Sequence, residues 1–340
     1  MIYPFDDNDN VHIVEGQAYQ FLPDSINSYL EEIKTSLTST TDVVVILAIG
    51  YPLTLNEYLV DHLNSFANSI PNPVLFCTGA LGNWAKSWQG KLTFALSNHR
   101  YFEFEAKTIW QREWRNDFAI DPNKTKKFLL ASIKDYPERK FILANVINTG
   151  LLDQGYVGFS RLVITDSSPV FGSNEQHVVT IANSINHHFP LPTLDTHCDW
   201  VRMPVEARTD SYLNVVMDTF FNWEPDVLFL SEKVFNAFAY GQMFIFLGPT
   251  GTLKYLQQEG YQTFGDYIDE SYDDIVDPYR RLLAVTESLI KFVSKPLEEI
   301  QEIYTNCIPR LEHNKQKLFN SNYQELMYKE LDRATRLKNK

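Results

Sequence analysis

The chain is poor in glycine, cysteine and positive charge, and it holds no long apolar run. Fourteen glycines among 340 residues exclude collagen-like and glycine-rich repeats and leave few positions for glycine-lined phosphate loops. Three cysteines, Cys77, Cys198 and Cys307, stand far apart without CxxC spacing. That fits reduced thiols in a cytosol-like compartment better than a disulfide framework. Thirty Lys and Arg face 43 Asp and Glu, a formal charge of −13, and a field of that sign repels a phosphate backbone at long range. The longest apolar run, Val43 to Ile49, falls far short of the ~18 residues that read as a bilayer span. The start, Met1-Ile2-Tyr3-Pro4-Phe5-Asp6-Asp7, has neither the basic residues nor the apolar core of a secretory signal. The expectation is a soluble cytoplasmic protein (host cytoplasm, if viral) with no membrane anchor of its own.

What is present is an ordinary globular composition, 44% hydrophobic and 21% charged, long enough for about two domains. Residues 1–40 read as a polar lead-in with one amphipathic stretch, Ile26 to Ile33. Asp42 to Gly50 reads as a strand buried on both faces, as in a parallel sheet covered by helices. A helix with apolar positions Leu55, Tyr58, Leu59, Leu63 and Phe66 follows, and Val74 to Cys77 is a second strand. Lys124 to Tyr136 reads as helix and Lys140 to Val146 as strand. In the second half, Glu175 to His187 reads as helix, Tyr212 to Met217 as strand, Ser231 to Tyr240 as helix, Met243 to Leu247 as strand and Thr252 to Glu259 as helix. The tail from Arg280 onward is helical by periodicity. The predicted fold class is α/β: one α/β domain over 1–150, a second over 151–300, and a helical tail over 301–340 packing back on them.

Two strand-to-helix turns attract chemistry. In Ser231-Glu232-Lys233 the serine is a natural N-cap, and Gly241 suits the left-handed position past the helix end. A lysine in a first turn opposes the helix dipole, so Lys233 sits where an anion would be welcome. A lysine there is also commonly a solvated surface residue. The second turn, Gly248-Pro249-Thr250-Gly251-Thr252, follows an apolar strand and opens a helix capped by Thr250 or Thr252. It matches neither the Walker A nor the GxGxxG pattern. Two such turns at one sheet edge make a cleft of the kind that holds ligands in open α/β sheets. The acidic run Asp266 to Asp277 reads as a solvated loop capping the next helix, or as the source of a carboxylate for a ribose or sugar hydroxyl; no spacing resembles a calcium loop. His187-His188 with His197 and Cys198 fits no zinc pattern. Trp84, Trp88, Trp110 and Trp114 serve the core or offer faces for sugar stacking.

Ser231-Glu232-Lys233 followed by Gln242-Met243-Phe244-Ile245-Phe246-Leu247-Gly248 resembles the T-E-K … P-[IV]-[VY]-x-G segment of the α1,3-fucosyltransferases. The run from Gly251 through Gly260-Tyr261-Gln262-Thr263-Phe264 to Asp273 is similar to uncharacterised fucosyltransferase-like proteins of large bacteriophages and environmental genomes. The resemblance covers roughly residues 210–290. It implies a GT-B glycosyltransferase of two facing Rossmann-like domains, with an acceptor side over 1–150 and a nucleotide-sugar donor domain over 151–300. Glu232 would lie toward the ribose and Lys233 on the diphosphate, with the backbone of Gly248 to Thr252 lining the phosphates and no bound metal or other cofactor. Asn236 stands where relatives carry Lys or Arg. Arg161 and Lys127 are candidates for a further diphosphate cation, and Glu57, after the first strand's loop, for the base that activates an acceptor hydroxyl. A non-catalytic sugar- or nucleotide-binding relative is the alternative, favoured by Asn236. An enzyme glycosylating bases of phage DNA is a third, opposed by the net charge although residues 311–340 are locally basic.

Overall fold

A computed structural model of the chain describes residues 11–17, 21, 24–38, 41, 43–49, 57–72, 74–78, 92–96, 119–132, 134, 136–159, 171–189, 191, 204–218, 221 and 230–321. It forms two compact units, one over 1–105 with 226–230 and 321–340, and one over 106–225 with 231–320. Each is built on a four-stranded sheet whose strand pairs are all parallel.

The first sheet runs β1 (Val11–Gln17), β2 (Val43–Ile49), β3 (Val74–Thr78), β4 (Leu92–Leu96) in spatial as in chain order. Helices α1 (Ile26–Ser36) and α2 (Glu57–Ser69) connect its first three strands. Ile26, Leu30 and Ile33 recur at helical spacing on α1 and are buried against Leu59, Leu63 and Phe66 of α2 and Val44, Ile46 and Phe76 of the strands. Phe21 meets Tyr29 and Phe76 edge-on, the geometry that aromatic quadrupoles prefer. The polar lead-in expected before residue 40 thus contains a strand. Its His12, Glu15 and Gln17 hid it; among the described residues β1 pairs with β2 alone, at the sheet edge.

The second sheet has the order β6 (Gly155–Phe159), β5 (Lys126–Ser132), β7 (Ser211–Met217), β8 (Met243–Leu247). Helices α3 (Pro137–Asn148), α4 (Glu175–Ser184), α5 (Val205–Thr209), α6 (Glu232–Ala239) and α7 (Thr252–Gln258) alternate with or follow its strands, and α8 (Pro278–Val293) and α9 (Leu297–Asn320) complete the unit. Two expectations are reversed here: 126–132 is strand and 137–148 is helix. Pro137 occupies the first turn of α3, where its missing N–H costs nothing. Phe141 to Ala144 are all buried, so the helix shows a continuous apolar run instead of a stripe. Both elements, expected in the domain over 1–150, lie in the second unit, and β5 is a strand of its sheet.

β8 is buried along its whole length, although it ends the sheet. The Phe246 N–H on its outer side donates to the hydroxyl of Tyr272, itself 2% exposed, which closes part of that edge. The expected helical C-terminal segment is present as α9. It docks through Tyr304, whose ring lies 5.2 Å from that of Tyr212 and whose hydroxyl donates to Gly241 O. Among the described residues no helix is long and apolar enough to cross a membrane.

Candidate functional site

From β5 the chain steps to one side for β6, then crosses back for β7 and β8. The strand order reverses between β5 and β7, and in open parallel sheets the crevice beyond the carboxyl ends at that point is where ligands bind. Ser132 ends β5, Asp218 follows β7, and Arg139 stands in the first turn of α3.

These three residues form one buried network with the start of α6. Arg139, 3% exposed, donates through one terminal nitrogen to Ser132 Oγ at 2.8 Å and through the other to Asp218 O at 2.6 Å. Among the described residues its Nε has no partner. Burial lowers the Arg139 pKa, opposed by the negative fields of Glu138, Asp218 and Glu232. Asp218, 1% exposed, accepts from the Ser231 N–H through Oδ2 at 3.1 Å, and its own N–H extends the ladder to Leu247 O. Asp218 therefore ties the N-cap of α6 to the crevice.

Ser231 caps α6 as expected, its hydroxyl accepting from the Lys233 N–H. Gly241, at φ 60°, ends it, with Gly241 N and Gln242 N bonded back to Phe238 O and Ala237 O in a Schellman arrangement. Lys233 is not waiting for an anion. Its ammonium donates to Glu232 Oε1 at 2.8 Å and to Ser231 Oγ at 3.3 Å, so the neighbouring carboxylate offsets its conflict with the helix dipole. Asn236, one turn below Glu232, is 9% exposed, and among the described residues its Nδ2 has no partner.

The second turn differs from expectation. Neither Thr250 nor Thr252 caps α7. Gly251 is the N-cap residue, at φ 75° with no side chain to offer, and Asp273 supplies the acceptor instead. Its two carboxylate oxygens take the N–H groups of Leu253 (3.1 Å) and Lys254 (3.2 Å), and its carbonyl takes that of Gly251. Thr252 is fully buried and donates to Pro249 O. Gly248 packs so closely that a Cβ would fall 2.1 Å from the Phe246 ring. Of the stretch expected to line phosphates, Gly248 to Thr252, the Gly251 N–H is engaged by the Asp273 carbonyl, and the next two N–H groups of the helix, Leu253 and Lys254, by its carboxylate.

The acidic run is structural throughout its bonded members. Besides Asp273, Glu270 accepts from Thr263 Oγ1 and Phe264 N, Asp266 pairs with Arg310 at 2.7 Å, and Asp277 caps α8 through Arg280 N. Burial raises the pKa of Glu270 and Asp273. Lys127 is also corrected: its ammonium caps the end of α8 through Val293 O and Lys295 O, away from the crevice. Glu57 is the first residue of α2, and its side chain, like Arg161, His197, Cys198 and the four tryptophans, lies outside the described residues. Among the described residues no group of three His, Cys, Asp or Glu could hold a metal ion.

Sequence reading missed Arg139, Lys134 and Asp218. Lys134 is exposed, just past β5, and its N–H donates to Ser132 Oγ. The signal for the first two was Pro137, a helix start that removes the turn from the middle of a supposed helix.

No family model and no curated protein matches the chain. Among solved structures, a UDP-forming α,α-trehalose-phosphate synthase from Burkholderia xenovorans aligns over 92% of this chain and 78% of its own, at 12% identity and a TM-score of 0.44. A likeness at that level assigns neither a family nor an activity.

Proposed function

We propose that the chain is a glycosyltransferase that moves a sugar from a nucleotide-sugar donor to a hydroxyl acceptor, with the donor held by the second α/β unit. The observation that carries this reading is the α6 start. There a lysine, a buried carboxylate and the helix N-terminus sit at the switch-point edge, tied to it by the Ser231–Asp218–Arg139 bonds. In this reading Lys233 takes the donor diphosphate, assisted by the exposed Lys134 in place of Lys127, with Arg161 a further candidate, and Glu232 and Asn236 face the donor's sugar hydroxyls. Arg139 is a positioning residue, since both its terminal nitrogens are committed to Ser132 and Asp218.

The reaction is displacement at the anomeric carbon: an acceptor oxygen bonds to it as the bond to the diphosphate oxygen breaks. Cations and helix N–H groups stabilise the charge that develops on the leaving diphosphate, so no metal or other cofactor is needed. A base removes the acceptor proton; Glu57, in the unit assigned to the acceptor, remains the candidate. The α1,3-fucosyltransferase-like pattern around Ser231 supports a hexosyl or fucosyl donor.

A thermal-shift panel of nucleoside diphosphates and nucleotide sugars tests the assignment. A ligand at 100 times its dissociation constant stabilises the fold by about 2.7 kcal/mol. Release of nucleoside diphosphate with an acceptor, undiminished by EDTA, then tests the chemistry. The alternative, a sugar- or nucleotide-binding relative without turnover, rests on Asn236 at a position where a cation is expected. Binding without diphosphate release from any nucleotide sugar would favour it.

A further inference from the structure

The first turn of α6 carries opposite charges on adjacent residues, and they satisfy one another. Lys233 Nζ lies 2.8 Å from Glu232 Oε1, with side-chain exposures of 26% and 9%. The carboxylate therefore occupies the place an external anion would take: within hydrogen-bond reach of the ammonium, at the positive end of a helix, and largely withdrawn from water. Behind it stands Arg139, whose charge acts on Glu232 and whose buried Nε has no partner among the described residues. A carboxylate that releases Lys233 thus stays in the field of a second cation.

We propose that Glu232 is a built-in surrogate anion, which holds Lys233 while the site is empty and yields the ammonium to the diphosphate of an arriving ligand. The proposal rests on the donor-site reading above and adds a competition to it; no covalent bond changes. Two consequences of opposite sign follow. A bare diphosphate must displace Glu232 and meets its negative charge, so Glu232 weakens that binding. A nucleoside diphosphate also brings ribose hydroxyls, which donate to the released carboxylate, so part of the loss is recovered. A purely structural role for Glu232 would not separate the two ligands.

The test is calorimetric titration with inorganic pyrophosphate and with UDP, GDP, ADP and CDP, on the parent, Lys233→Ala, Glu232→Gln, Glu232→Asp and the Glu232→Gln/Lys233→Ala pair. Glu232→Gln is expected to bind pyrophosphate about five- to tenfold tighter than the parent. Glu232→Asp, with its carboxylate drawn back by one methylene, gains by a smaller factor. The gain vanishes in the double variant, because it requires the lysine. The nucleoside diphosphate that the parent binds gains less than pyrophosphate, or loses affinity. If Lys233→Ala weakens binding but neither Glu232 variant tightens pyrophosphate, the surrogate role is overturned and the donor site stands. If Lys233→Ala leaves every affinity unchanged, the donor site falls and the surrogate role with it.

Discussion

Replacing Asp273 by alanine removes the acceptor that starts α7. The carboxylate is 7% exposed and takes two backbone N–H groups, at 3.1 and 3.2 Å. Loss of a helix cap costs ~1 kcal/mol, and hydrogen bonds to a charged group are worth about 1.5–3 kcal/mol each. Against this, burial disfavours the ionised form, as the raised pKa records, so removing the charge recovers part of the loss. The balance is a destabilisation of about 2 kcal/mol. In a unit of roughly 200 residues, each 1 kcal/mol shifts the Tm by about 2–4 °C, so the Tm should fall by ~4–8 °C. Asp273→Asn, which keeps one acceptor oxygen, should lose about half as much. Differential scanning calorimetry measures both. The reasoning is refuted if Asp273→Ala melts with the parent, for then the N–H groups of α7 are not satisfied by this side chain. It is refuted equally if that variant loses nucleoside diphosphate affinity while keeping its stability, since Asp273 would then serve the ligand.

Other expectations concern stability and its dependence on pH. The pKa of Glu138, 8% exposed, is raised by burial, with the Arg139 charge opposing. The folded state therefore binds its proton first, and acidification toward the ordinary carboxylate range should stabilise the parent relative to Glu138→Gln. A gap that stays constant with pH would contradict this. Burial lowers the pKa of Lys124 to about 8, against the opposing fields of Asp121 and Asp210. Its contribution then rises with pH from about 8 toward the ordinary lysine value, and Lys124→Met should remove that rise from a Tm-versus-pH curve. Gly241→Ala places a Cβ 2.7 Å from Ile120 Cγ1 at φ 60°, where a left-handed conformation alone costs roughly 1–2 kcal/mol. Urea unfolding should show a loss of at least that size; a loss no larger would mean that Ile120 gives way freely, and a neutral result would contradict the backbone penalty itself.

The fold was legible where apolar runs met clear stops. Val43 to Ile49 and Met243 to Leu247 read as strands, and Ser231 and Gly241 marked the bounds of α6. It was illegible where burial erased the pattern. α3 is buried nearly all round, so Phe141 to Ala144 carry no helical stripe, and β1 is polar enough to pass for a loop. The candidate site was half visible. Ser231, Glu232 and Lys233 announce themselves within three residues, but their partners Asp218 and Arg139 lie 13 and 92 positions before Ser231 and are joined to it only by the parallel order of the sheet. That Asp273 rather than a ligand fills the start of α7 is equally long-range, since a helix N-terminus in sequence does not show which carboxylate will reach it.

The central claim is that Lys233 holds a donor diphosphate. It is tested most directly by titrating the parent, Lys233→Ala and Lys233→Gln with the nucleoside diphosphate that most raises the parent's Tm. The account predicts that both variants fold and bind it more weakly by about 1.5–3 kcal/mol, the worth of a hydrogen bond to a charged group. Parent-like affinity in both variants would contradict it.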